Sequence, residues 1–410
     1  MTRNGAGLPP SGGVGQHDRM ATAKRAVYLH VGSRKSGTSF VQEALLESRP
    51  ALAEQGLGLP LGNRTQHMEV ALKPLLAAGR TEAQQADTRA ALRAVTQRLR
   101  RSQQQRLLLT IEDLAELADW QAELLLEALD EFDVHVVITA RHWAKQIPSE
   151  WQQCVKERLT TPYQDYVRGI RDRDGAPHTE QFIARQHVPG IAERWGRALD
   201  PDHVHVIAVP PSSKDPDLLL GLFCSVLEVD PKVLTAPPRA RNLSLGYQQA
   251  ETLRRVNVAL GKRLPDFYTQ YRRAVRRDVA RGTLLRQAGD PLRLPEEFVT
   301  WCSEESAAQV KELVDRGYHL VGDPDHLVFD GRQGEPAFRE VTDAEVADTA
   351  VQALATLAVR RYNDIYAPDA PFTRSEPPAE AARRTATTLA RGAARRLVTV
   401  ARARGVRLPR

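Results

Sequence analysis

The first apolar run along the chain, residues 26–31 (AVYLHV), is short and rich in strand formers. It breaks at Gly32-Ser33-Arg34-Lys35-Ser36-Gly37, after which Phe40, Val41, Ala44 and Leu45 recur at helical spacing through residues 38–46. A strand, a glycine-bounded loop and a helix in that order open a βαβ unit. The pattern then repeats with variations. Residues 56–60 read as a short strand or turn, and residues 68–105 as two or three Ala-, Gln- and Arg-rich helices. Residues 106–111 (RLLLTI) read as a strong strand and 114–129 as an amphipathic helix. Residues 134–140 (VHVVITA) form the strongest strand and end at Arg141; a helix over 144–158 follows. A further strand at 204–209 precedes a helix at 216–228.

Strands that alternate with helices predict an α/β fold, an open parallel sheet in three layers. Ligands of such sheets bind beyond the carboxyl ends of the strands, where residues 32–39, 112 and 141–149 fall. Residues 243–285 read as mostly helical and arginine-rich, and two more helices are expected at 295–315 and 343–362. The chain thus divides into a leader (1–25), a main domain (26–371, with its core at 26–230 and a helical half at 231–371), and a linker with a basic tail (372–410).

The net charge of +6 is unevenly spread. Residues 379–410 hold nine Arg and one Glu, and residues 1–25 carry +3, which leaves the body at about −5. A body of that sign is not a nucleic-acid binder. In the tail, Leu389, Ala393, Leu397 and Val400 share a helical face ringed by Arg384, Arg391, Arg395 and Arg402. Two readings stay open for it: a solvated helix, or peripheral contact with an anionic membrane. The Gly-rich N-terminus lacks the apolar stretch of a signal peptide and reads as a disordered leader. Cys154, Cys224 and Cys302 are too scattered for a disulfide framework or a CxxC site, so a cytoplasmic setting is expected. No apolar run reaches the roughly 18 residues of a membrane span.

A loop between strand and helix binds anions, because its N–H groups lack intrahelical partners and the helix dipole adds positive potential. Lys35 sits within this loop; Thr38 and Ser39 add hydroxyls. The loop is not a Walker A sequence, since Gly37 is followed by Thr38 and the lysine precedes that glycine. The strand at 134–140 ends in Arg141, where an acidic magnesium ligand was the expectation for a nucleotidase.

Lys35-Ser36-Gly37-Thr38-Ser39-Phe40 resembles the KxGT[ST] loop of sulfotransferases that use 3′-phosphoadenosine 5′-phosphosulfate (PAPS). The family's second signature, a strand ending in Arg with Ser eight residues on, is similar to Arg141 and Ser149. The run from Ser149 to Lys156 also looks like the SxYxQxxK run of bacterial members. The resemblance is best over residues 26–230. It implies that Arg34, Lys35, Ser36, Gly37, Thr38 and Ser39 hold the phosphosulfate, that Arg141 and Ser149 grip the 3′-phosphate, and that Arg239 covers it. It further implies that Lys35 neutralises the leaving oxygen, with no metal required. Sulfonyl transfer would go to a hydroxyl, or secondarily an amine, of a small molecule, glycan or glycolipid.

The general base stays open between His67, 32 residues after Lys35, and Glu112, directly after the strand that ends at Ile111; Glu54 is a further option. Two other functions stay open as well: a nucleotide-dependent phosphotransferase, and an inactive relative that binds anions. Tyr163, Tyr166 and Trp151 suit either an acceptor pocket or the core. His135, His203 and His205 read as sheet-face residues.

Overall fold

The computed structural model describes residues 24–210, 216–235, 244–331 and 338–366. Arg239, the linker, the tail and almost all of the leader lie outside them. Six strands form one open, all-parallel sheet: β1 (Ala26–Gly32), β2 (Leu57–Gly58), β3 (Arg106–Thr110), β4 (Asp133–Ala140), β5 (Val204–Ala208) and β6 (His319–Val321). Their order is β2-β3-β1-β4-β5-β6. β1 therefore lies between neighbours from which the chain winds in opposite directions, which makes its carboxyl end the topological switch point where such sheets bind ligands.

Period-two alternation in the strands explains the layers. Val27, Leu29, Val31, Val136 and Ile138 enter one core with the helices Glu82–Arg101, Asp119–Ala128 and Val188–Gly196. Tyr28, Leu108, Val137 and Ile207 enter the opposite core with Thr38–Glu47 and Pro216–Leu227. A third cluster is built mainly from helices, joined by loop residues such as Leu245, Leu292, Leu294 and Phe329, and includes no strand residue. It joins Trp151, Tyr163 and Tyr166 to Tyr271 and Phe298, so these aromatics are buried in the core.

The expected elements are present, with shifted ends, and the differences have local causes. Residues 114–129 do not form one helix: a 3₁₀ segment, Glu112–Glu116, precedes Asp119–Ala128, and Leu117 is extended between them. Here Arg194 takes the Ala115 carbonyl and Arg185 pairs with Glu116 at 2.6 Å, so tertiary contacts override propensity. β6 is only three residues long and carries no readable pattern. It comes from beyond residue 230, so the sheet draws on both halves of the expected main domain.

Candidate functional site

The loop after β1 is braced from beneath. The Ser33 N–H donates to the Thr139 carbonyl at 2.7 Å, and the buried Ser36 hydroxyl packs between the Ser33 carbonyl and Thr139 Oγ1. The Arg34 carbonyl accepts from Gln146 and Gln186, both at 3.0 Å, while the Arg34 side chain pairs with Asp113 at 3.3 Å. Gly37 caps the following helix at φ 91°, a left-handed conformation that favours glycine. Lys35 is also left-handed, at φ 64°. These constraints leave the N–H groups of residues 34–39 without an acceptor among the described residues, which is the requirement for an anion cradle. Lys35 and Ser39 have no side-chain partner there either. The side chains of Ser36, Thr38 and Arg34 are paired within the loop's frame, and their N–H groups remain part of the cradle.

Thr38 donates its hydroxyl to the Glu112 carboxylate, which also pairs with Arg64 at 3.4 Å. Glu112 is thereby held against the first turn of the loop's helix. His67 is 1% exposed. Its Nδ1 bonds the Asn63 carbonyl at 2.9 Å and its Nε2 has no partner. Burial, together with Arg49 and Arg64, holds its pKa below the usual range, so the ring is neutral. The described contacts bring Glu112 to the loop, whereas His67 is buried with Asn63 as its hydrogen-bond partner; Glu54 is exposed.

Arg141 and Ser149 share no hydrogen bond, and neither has a partner among the described residues. The Glu150 carboxylate, an alternative partner for Arg141, is taken by Arg185 at 2.9 Å. Burial lowers the Arg141 pKa, the mark of an unpaired guanidinium withdrawn from water. Arg141 lines a small cleft with Val188, Ser306 and Gln309.

A second group of cations was not legible as a site in the sequence. Lys156, at the end of the Trp143–Lys156 helix, is pushed down to about 7 by burial and by the charges of Lys35, Arg276 and Arg281. Arg276 and Arg281 belong to a π-helix, Phe267–Arg281. In that helix Arg272, Arg276 and Arg281 recur every four or five residues, close to its turn, and line one groove of about 490 Å³. Lys156, Arg272, Arg276 and Arg281 make no ion pair among the described residues. Glu157 is the acidic neighbour that acts on both Lys156 and Arg276. The signals in the sequence were Lys156 as the last residue of the run 149–156 and the arginine content of residues 243–285.

Neither a protein-family model, nor a curated protein, nor a solved structure matches the chain. Among the described residues no helix is long and apolar enough to cross a membrane.

Proposed function

We propose that the chain is a sulfotransferase that moves a sulfonyl group from PAPS to a hydroxyl, or secondarily an amine, of a small molecule, glycan or glycolipid. The observation that carries this reading is a cradle of unpartnered N–H groups on residues 34–39, with Lys35 inside it and the unpaired cations Lys156, Arg276 and Arg281 close by. Such a site suits a ligand with several anionic groups. Unpaired Arg141, with Ser149, is retained as the 3′-phosphate contact.

In this reading the acceptor oxygen attacks sulfur and the bond from sulfur to the bridging phosphate oxygen breaks. Lys35 neutralises the charge that builds on that oxygen. The acceptor's proton goes to Glu112, which its bond to Thr38 holds at the loop; His67 is the second choice, because its free Nε2 is enclosed.

One observation favours a second reading, a magnesium-dependent phosphotransferase. A loop hydroxyl beside a carboxylate at the end of the adjacent strand is how P-loop enzymes hold magnesium, and Thr38 with Glu112 has that form. The acidic group follows β3 and not β4, whose end carries Arg141. Glu112 already has a cationic partner in Arg64, at 3.4 Å, which weakens its pull on a metal ion. The test is a transfer assay with labelled PAPS against a panel of hydroxyl acceptors, beside ATP with magnesium. Label transfer without magnesium is expected; turnover of ATP alone would select the second reading.

A further inference from the structure

At the opposite end of the sheet, the amino ends of β4 and β5 bring four histidines together. His135 stacks on Tyr28 (centroids 4.9 Å), on His203 (4.2 Å) and on His205 (5.2 Å). Asp133 stands between two of these rings. Its Oδ2 is 3.5 Å from His135 Nε2, and its Oδ1 is 3.6 Å from His203 Nδ1. The three ligand atoms all lie within 4.8 Å of one another.

These distances are too long for good hydrogen bonds. They are close to the separation of about 3.3 Å between ligands on a tetrahedral ion with bonds of about 2.0–2.1 Å. We propose that Asp133, His135 and His203 bind a divalent transition-metal ion, zinc by the chemistry of the ligand set, at the amino edge of the sheet. Two imidazoles and one carboxylate form a borderline-soft donor set that suits zinc, and a fourth position remains for water.

The surroundings are those of a ligand held in place. His135 Nδ1 lies 3.0 Å from His205 Nε2, and His205 Nδ1 lies 2.8 Å from His319 Nδ1. When His135 gives its Nε2 lone pair to the ion, its Nδ1–H donates to His205 Nε2, and the His205 Nδ1–H donates in turn to His319. Every proton in that chain has a place. A histidine ligand that donates its other N–H is oriented and made more basic. Asp202 adds negative charge felt by both His135 and His205. The Asp133 side chain is 42% exposed and His203 27%, so an ion has a route in from solvent. The site lies a full strand length from loop 32–39. It joins β4 to the turn before β5, a link otherwise made by the strand pairing, and so acts as a clamp and takes no part in transfer.

The test uses the full chain, stripped with a chelator and titrated with zinc chloride in a calorimeter. One equivalent is expected to bind with release of protons, and cobalt in its place is expected to give the strong visible absorption of a tetrahedral site. His203→Ala, in a partly exposed turn, should lose at least tenfold in affinity. His205→Phe, which removes no ligand but takes away the bonds to His135 and His319, should lose about 10–100-fold. Circular dichroism checks that each variant is folded, and Asp133→Asn serves if His203→Ala is not. Absence of binding to the wild type overturns the proposal, as does binding unchanged by both His203→Ala and Asp133→Asn.

Discussion

The Thr38 hydroxyl donates to the carboxylate of Glu112, which ties the first turn of the loop's helix to the end of the neighbouring strand. The contact fixes where Glu112 can act. If Glu112 is the base, Glu112→Gln should lower transfer about 10²–10⁴-fold and leave affinity for 3′-phosphoadenosine 5′-phosphate (PAP) within about twofold. Steady-state kinetics beside calorimetry reads both. If His67→Ala has the large effect and Glu112→Gln does not, the base is His67.

Arg141 offers a separate test, because it is buried without a partner. An unpaired buried charge costs stability. Arg141→Ala should therefore keep or raise the melting temperature while it weakens PAP binding about 10–100-fold, the worth of a lost charge-assisted hydrogen bond. A lower melting temperature with unchanged affinity would make Arg141 structural.

Lys156 gives the site a pH dependence. Its ammonium is pushed down to about 7, first by burial and then by Lys35 and Arg276. Its charge is present below that pH and lost above it, so PAP affinity should fall as pH rises from 6 to 8. In Lys156→Met that slope should flatten, and the affinity should be lower at pH 6. A slope equal to the wild type's would remove Lys156 from the site.

His30 predicts acid lability. It lies buried on β1 between Thr110 and Thr139, and burial lowers its pKa to about 3. The unfolded chain takes up a proton near pH 6.5, whereas the folded chain does not until about 3. Stability is therefore full above about 6.5 and falls as pH drops toward 3, by about 1.4 kcal/mol per unit at most from this one group. Urea melts of wild type and His30→Gln, compared by slope from pH 7 to 4, should show a shallower loss in the variant.

The loop, its flanking strand and helix, Arg141 and Glu112 were all legible in the sequence, because each is local: a period-two run, a glycine break, a polar residue at a strand end. What escaped is what depends on distant segments meeting. Lys156 is legible as the last residue of the run 149–156, but not as one of a group of cations until the π-helix over Phe267–Arg281 packs nearby and crowds it with arginines. The histidines on β4, before β5 and on β6 lie up to 184 residues apart, and only the strand order β4-β5-β6 stacks them. Ser36 and Thr38 were legible as loop hydroxyls but not as struts, since their partners Thr139 and Glu112 come from other strands.

The central claim is that residues 34–39 and their neighbouring cations form a PAPS site. Calorimetry of the full chain with PAP in chelator-treated buffer, set against ATP with magnesium, tests it most directly. The account predicts tight one-to-one binding of PAP without metal, weakened at least tenfold by Lys35→Ala. Binding of ATP with magnesium, and none of PAP, would contradict it.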